Sequence, residues 1–283
     1  MENSLTHRKT FPITIIGAGA VGCALALSLH KKQYFIRSVF SKSGTSARLL
    51  GKKVGAAQSG TFSSQSRGNG IFFIAVPDDE IKNVVHRLLH RQNDFYGSIV
   101  FHTSGALSSE VFLPLKKRGA SVGSFHPLQT FPKSKIRSVN LRDIFVAVEG
   151  DRKAVAVGKR IARRIGAHPF VLSSRQKVLY HIAAVFGSNY FVTLLSVVEE
   201  LGLRIGVSQR KIVAMIEPLI LQSLKNVRTW SASSALTGPI ARGDIRTVGK
   251  HRSVLKTEKL NHISELYAAL AKATTRLASK KKK

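Results

Sequence analysis

Lys177 and His181 lie four residues apart in a mostly apolar run, so a helix would set both on one face. Ser188, seven residues beyond His181, falls on the same stripe, with Asn189 beside it. A polar stripe on a greasy helix faces either water or a polar cleft. The flanking Ala183-Ala184-Val185-Phe186 and Tyr190-Phe191-Val192 favour a cleft. Either basic residue could move a proton there. Histidine titrates near neutrality by default, and Lys177 would do so if burial lowered its pKa. For His181, a histidine satisfied inside a core is the equally open alternative. Downstream, Leu236-Thr237-Gly238-Pro239-Ile240-Ala241-Arg242-Gly243-Asp244 is dense in backbone punctuation. Thr237 and Arg242 suit a carboxylate or similar acceptor. Asp244 suits the cap of a following helix that carries Thr247 and His251 on one face. A helix connector whose arginine makes a structural ion pair is the plainer reading. His102, His126, His181 and His251 are widely separated and lack ligand spacing, so no metal is expected.

A second chemistry is written at the other end of the chain. The apolar run Ile13-Thr14-Ile15-Ile16 leads into Gly17-Ala18-Gly19-Ala20-Val21-Gly22, followed by a helical pattern. G-x-G-x-x-G alone is a weak signal, but between a strand and a helix it is strong. Gly17 permits the tight turn, Gly19 lets backbone approach a pyrophosphate, and Gly22 lets the helix lie close to the strand. The N–H groups of Ala20, Val21 and their neighbours then hold phosphate. The second strand, Tyr34 to Phe40, ends in Ser41-Lys42-Ser43, where a site for NAD places an acid on the ribose. No Asp or Glu occurs between Glu2 and Asp78. Lys42, flanked by two hydroxyls and helped by Arg48, attracts a 2′-phosphate instead. The expected cofactor is therefore NADP(H) rather than NAD(H).

The elements that must position these groups alternate. Ile71-Phe72-Phe73-Ile74-Ala75-Val76 is a continuous apolar run halted by Pro77, with Asp78 or Asp79 placed to cap the next helix. Ser98–Phe101 ends in His102-Thr103-Ser104-Gly105, and Ser121–Phe125 ends in His126-Pro127-Leu128-Gln129. Ile144–Val148, a helix over Lys153–Ile165 and Pro169–Leu172 follow, while Gln58 to Gly70 reads as a polar connection. This pattern predicts an α/β doubly wound (Rossmann) domain, whose ligands sit beyond the carboxyl ends of the strands. Val76, Pro77, Thr103 and Ser104 thus join the glycines as cofactor residues. His126 joins Ser188, Asn189, Thr237 and Arg242 as substrate residues. From Arg175 the character changes: Val178–Val198, Ile212–Leu224 and His262–Leu277 read as helices with no convincing strand. The expected division is 1–172, NADP-binding, and 173–283, an all-α substrate and dimerisation domain with a basic tail.

Composition excludes some classes. The single cysteine, Cys23, rules out an internal disulfide and points to a reducing cytoplasm. No uninterrupted apolar run reaches membrane-spanning length, and the opening lacks a signal-peptide pattern. With 45 Lys and Arg against 15 Asp and Glu, the formal charge is +30. Such a field attracts polyanions nonspecifically. The positives are spread along the chain, apart from Lys280-Lys281-Lys282-Lys283. No nucleic-acid-binding motif accompanies them.

Several segments together resemble one family: the glycine loop, Ala75-Val76-Pro77-Asp78-Asp79, His102-Thr103-Ser104-Gly105, Ser124-Phe125-His126-Pro127-Leu128-Gln129-Thr130-Phe131, Tyr180-His181-x-Ala183-Ala184, Ser188-Asn189-Tyr190 and Leu236-Thr237-Gly238-Pro239-x-x-Arg242-Gly243-Asp244. It comprises Rossmann-like proteins with a C-terminal helical domain of unknown function. It looks related to deazaflavin-dependent NADP oxidoreductases, pyrroline-carboxylate reductases, ketopantoate reductases and β-hydroxyacid dehydrogenases. The resemblance covers the chain to about His251. It implies an NADP-dependent oxidoreductase, a homodimer and a small-molecule substrate. Relatives pair a catalytic lysine with an asparagine four residues on. Lys177 keeps the spacing, and His181 departs from it. Ser41-Lys42-Ser43 stands where Ser-Arg-Ser is common, keeping the charge but losing the planar fork. The expectation is an NADPH-dependent reductase of a small, anionic carbonyl or imine compound, of which a ketopantoate-type reductase is one concrete case. His181 or Lys177 would supply the proton. A non-catalytic NADP sensor and a basic nucleic-acid-binding protein are the alternatives.

Overall fold

The computed structural model describes residues 11–62, 69–92, 94–131 and 140–280, which leaves the tail beyond Lys280 outside the described residues. The chain divides into two compact units, Met1–Ser188 and Asn189–Lys283.

The first unit is built on an eight-stranded sheet. In chain order its strands are β1 (Ile13–Ile16), β2 (Ile36–Ser41), β3 (Gln58–Thr61), β4 (Ile71–Ile74), β5 (Ile99–His102), β6 (Ser121–Pro127), β7 (Phe145–Gly150) and β8 (His168–Val171). They lie side by side as β3-β2-β1-β4-β5-β6-β7-β8. All neighbours are parallel except β6 and β7, which pair antiparallel with Ser124 opposite Glu149. The helices are α1 (Ala20–Lys31), α2 (Thr45–Val54), α3 (Ile81–Leu89), α4 (Leu113–Lys116), α5 (Arg152–Arg164) and α6 (Lys177–Gly187). Every residue of β1, β4 and β5 is buried, as expected of parallel strands covered on both faces. On one face Phe73 stacks on Phe101 with ring centres 5.3 Å apart and meets Phe125 edge-on at 5.4 Å. On the other, Phe72, Ile74, Val85, Phe95 and Phe112 form a separate core.

Three expectations are corrected. The polar connection from Gln58 contains an edge strand, β3, whose Gln-Ser-Gly-Thr sequence carries no apolar alternation. Neither Asp78 nor Asp79 caps α3: both lie in a 3₁₀ turn, Asp78–Glu80, and Asp78 accepts a hydrogen bond from Ser104 instead. The long helix expected over Val178–Val198 is interrupted at Ser188 (φ −129°, ψ −72°). Ser188 therefore does not continue the stripe of Lys177 and His181. By contacts the chain divides at this interruption, with α6 counted in the sheet unit. By length and composition the stretch Ser174–Arg204, of mean hydropathy 1.5, could cross a membrane. A count of uninterrupted apolar runs overlooks it. Its apolar side chains, Leu179, Phe186 and Val192 among them, are exposed, whereas Lys177 near its start is fully buried and hydrogen-bonded within the first unit.

The second unit is helical: α7 (Asn189–Arg204), α8 (Gln209–Thr229), α9 (Ala232–Ala235), α10 (Pro239–Arg242), α11 (Ile245–Thr257) and α12 (Asn261–Ser279). Its described residues contain no strand. Gly202 lets α7 lie against Ile212 of α8, where a Cβ would stand 2.7 Å from Ile212 Cγ1. Leu255, Leu260 and Ile263 form a small core with Val197 and Tyr267. Asp244 caps α11 as expected, accepting from Thr247 N at 2.9 Å and Thr247 Oγ1 at 2.7 Å.

Candidate functional site

The glycine loop has the geometry that each glycine was expected to serve. Gly17 has φ +107°, and a Cβ on it would stand 2.2 Å from Ala75 O. A Cβ on Gly22 would meet Gly17 O at 1.8 Å, so helix and strand touch through bare backbone. Gly19 faces open space, with nothing within 4 Å of its Cβ position. It also precedes α1, and no side chain caps that helix start. Uncapped N–H groups beside an open approach fit a bound pyrophosphate. At the end of β2, Ser41 Oγ accepts from Gly44 N (3.1 Å) and Ala47 N (3.3 Å), which closes a turn on which Lys42 and Ser43 are exposed. Arg48 folds back over this turn: a Cβ on Gly44 would stand 2.9 Å from its guanidinium. Two cations without an acid suit a 2′-phosphate.

Beyond β4, β5 and β6 lies a second cluster. Lys177, the first residue of α6, is fully buried. Its Nζ donates to Ser104 O at 3.0 Å and to Ser124 Oγ at 2.8 Å. Burial pushes its pKa down to about 8, against the opposing pull of Glu149 and Asp78. Ser104 Oγ donates to Asp78 Oδ2 at 2.7 Å and accepts from Ala106 N and Leu107 N, so its hydroxyl is committed to the loop. Glu149 is held by Ser109, whose N and Oγ both donate to it. His102, fully buried, packs edge-on against Phe112 at 5.2 Å. Neither of its ring nitrogens makes a hydrogen bond of good geometry, although the Ser108 backbone slightly favours the protonated form. Burial, reinforced by Lys177, lowers its pKa to about 3. His126 is lowered to about 4 by burial, then by Lys177 and His181. Its Nδ1 lies 2.8 Å from Tyr180 Oη. The His126 and His181 rings stand 6.4 Å apart and flank Gly105, whose Cβ position is 2.9 Å from His126 Nε2 and 2.6 Å from His181 Cδ2.

The structure thus brings Lys177, His181, His126 and Ser104 into one cluster. Val76 lies against Gly17, and Thr103 N bonds Ile74 O, at the same edge of the sheet as the glycine loop. Ser188 ends α6, and Asn189 opens α7. Thr237 and Arg242 are exposed in the second unit, Thr237 just before α10 and Arg242 as its last residue. Tyr180, Ser124, Glu149, Asp78 and Gly105 were not singled out from the sequence as site residues. An acid inside the apolar run Phe145-Val146-Ala147-Val148-Glu149 was the available signal for one of them. Among the described residues no cluster of metal-ligand type occurs.

Two domain families match the chain: a Rossmann-like domain over residues 1–127, and the Domain of unknown function (DUF2520) over residues 144–274. No curated protein matches significantly in sequence. Among solved structures, a Bacteroides fragilis protein provisionally assigned as an NADP oxidoreductase is 25% identical, with a TM-score of 0.77 over 94% of this chain and 98% of its own. A Thermotoga maritima protein is 27% identical, with a TM-score of 0.71 over 96% and 100%. An Aspergillus terreus reductive aminase in complex with NADPH shares the fold at 15% identity, with a TM-score of 0.70 over 96% and 94%. The chain is thus similar to a Rossmann-like domain over its first part and to the domain of unknown function (DUF2520) over its second.

Proposed function

We propose that this protein is an NADPH-dependent oxidoreductase that reduces a small, anionic carbonyl or imine compound. The observation that carries the reading is the meeting, at one edge of one sheet, of an open glycine loop and a cluster of proton-bearing side chains. The B. fragilis protein, provisionally assigned as an NADP oxidoreductase, supports it at the level of the whole chain. Gly17, Gly19 and Gly22 with the start of α1 would hold the pyrophosphate. Ser41, Lys42, Ser43 and Arg48 would hold the 2′-phosphate, and Val76, Pro77 and Thr103 the nicotinamide end. Bound NADPH supplies the reducing equivalents as a hydride. The chain's own task is to bind and orient the substrate and to place one proton on the oxygen or nitrogen that becomes electron-rich.

His181 is the proton donor in this reading. Lys177 as it stands is enclosed, with two of its three donors already spent on Ser104 O and Ser124 Oγ. It fixes the loop after β5 and supplies positive charge. Thr237 and Arg242, with Ser188 and Asn189, are assigned to the substrate's anionic group because a guanidinium and a hydroxyl are suited to a carboxylate. A homodimer is part of the proposal: Leu219, Leu221, Leu224, Ile205 and Trp230 of the helical unit are all exposed. Polyanion contact is favoured by one feature of the sheet unit. A cleft of about 480 Å³ is lined by Lys31, Lys32, Arg142, Arg163 and Arg164 with a single acid, Asp143.

Titration of the protein with NADPH and with NADH at physiological salt, alongside Lys42→Ala, tests the reading. We expect preference for NADPH, and a loss of roughly tenfold in Lys42→Ala, the size of one charge-assisted contact of about 1.4 kcal/mol. Binding of neither nucleotide would overturn the proposal. Tight binding without turnover on any carbonyl or imine compound would favour the sensor.

A further inference from the structure

We infer that Tyr180 fixes His126 as a neutral hydrogen-bond donor, so that the site receives its substrate through an acceptor oxygen, carbonyl or carboxylate, and not through a protonated nitrogen. This narrows the substrate class and rests on the oxidoreductase reading for its use in catalysis, but not for the state of the imidazole.

The ring of Tyr180 stands edge-on to His126 at 5.6 Å and to Phe170 at 5.5 Å, which fixes its plane and directs its hydroxyl at His126 Nδ1, 2.8 Å away. Burial raises the Tyr180 pKa to about 12, so the phenol keeps its proton. Among the described residues no other hydrogen bond of this hydroxyl is present. A phenol donates a hydrogen bond more strongly than it accepts one, and a neutral imidazole nitrogen is a good acceptor. The Tyr180 proton therefore points at Nδ1, and the one proton of neutral His126 sits on Nε2. A second proton on the ring is disfavoured by its surroundings. The charged or titratable groups that act on it are Lys177 and His181 from α6, and it in turn acts on His102 of β5.

Nε2–H lies beside Gly105, whose missing side chain is what allows both imidazoles to close on the loop after β5: a Cβ there would stand 2.9 Å from His126 Nε2 and 2.6 Å from His181 Cδ2. Donation from Nε2 suits an oxygen lone pair. An iminium or ammonium N–H placed there would meet another donor. Gly105 and His126 lie at the carboxyl ends of parallel strands, where a ligand of this fold belongs. Tyr180 is a positioning residue, and His126 a binding residue.

Nitrogen-15 NMR of the histidine rings tests this without cofactor or turnover. In the wild type, at pH 7, His126 should show Nε2 in the protonated range and Nδ1 in the lone-pair range. In Tyr180→Phe the two resonances should move toward each other as both tautomers become populated. A change in packing alone would leave the tautomer as it was. Titrating pyruvate should shift the His126 Nε2 resonance in the wild type, and ethylammonium should not. A wild-type Nδ1–H tautomer overturns the inference, as does unchanged tautomer balance in Tyr180→Phe. So does response to ethylammonium alone, or to neither probe. Should the tautomer and the pyruvate response appear while NADPH fails to bind, the oxidoreductase reading falls and the inference stands.

Discussion

Replacing Lys177 by methionine removes the only fully buried charged side chain in the described core and leaves a chain of similar length in its place. Its effect is worked out most clearly from the pH dependence of stability. The ammonium titrates at 10.5 in an unfolded chain and at about 8 in the folded protein, because burial costs it more than Glu149 and Asp78 return. Below pH 8 the lysine is protonated in both states, and folding carries the whole cost of burying the charge. Between pH 8 and 10.5 the folded protein has released its proton and the unfolded chain has not, so stability rises with pH. Above 10.5 both are neutral and nothing further is gained. The fall from 10.5 to about 8 corresponds to about 3 kcal/mol, at roughly 1.36 kcal/mol for each pH unit. Urea unfolding of wild type and Lys177→Met, followed by loss of sheet ellipticity from pH 7.5 to 10.5, measures it. Groups common to both proteins cancel in the difference. Its absolute value at pH 7.5 mixes lost hydrogen bonds with relief of the buried charge, so the slope is the readout. The wild type should gain about 3 kcal/mol on the variant across this window. Parallel curves, or a wild type that loses ground as pH rises, would refute the burial argument.

Gly105→Ala should force apart His126 and His181, since its Cβ would stand at 2.9 and 2.6 Å from their rings. We expect turnover to fall by at least tenfold while NADPH affinity, read by fluorescence titration, stays within about twofold, one tenfold step being roughly 1.4 kcal/mol. The loop glycines separate packing from binding. Gly19→Ala has free space and should leave the melting temperature unchanged while weakening NADPH. Gly22→Ala meets Gly17 O at 1.8 Å and should lower both melting temperature and affinity. If the two variants behave alike in a thermal melt, the assignment of Gly19 to ligand and Gly22 to packing is wrong.

What could be read from the sequence follows from where each constraint resides. The glycine loop was legible because its requirements are local: a left-handed turn at Gly17 and bare backbone at Gly22 depend on residues within one strand–turn–helix. Strands β4 and β5 were legible because burial on both faces writes an unbroken apolar run. The edge strand β3 is held by backbone pairing to β2 and needs no apolar side chains, so Gln58-Ser59-Gly60-Thr61 gives no sign of it. At Ser188 helical periodicity continues across a backbone that does not, and the stripe was extended too far. The spacing of Lys177 and His181 was visible, but not that one would be enclosed and the other would face Gly105. Tyr180 meets His126 across 54 positions, a pairing that only tertiary structure makes.

The cluster divides its work by environment. His102 and His126 are both held neutral, first by burial and then by the charge of Lys177. Of Lys177, His102 and His126, the ammonium alone is thereby left to carry charge, and Ser104 O and Ser124 Oγ hold it in place. A neutral imidazole polarises an acceptor without competing for the proton that the reaction must deliver, and a fixed cation nearby favours negative charge as it develops. Reduction of a carbonyl compound creates such charge on oxygen. The same arrangement would oppose a substrate that enters as a cation, because Lys177 repels it and His126 Nε2–H offers it no lone pair. In the proposed reaction the electrostatics of the buried lysine and the inferred tautomer of the histidine, set by different neighbours, would favour the same class of substrate.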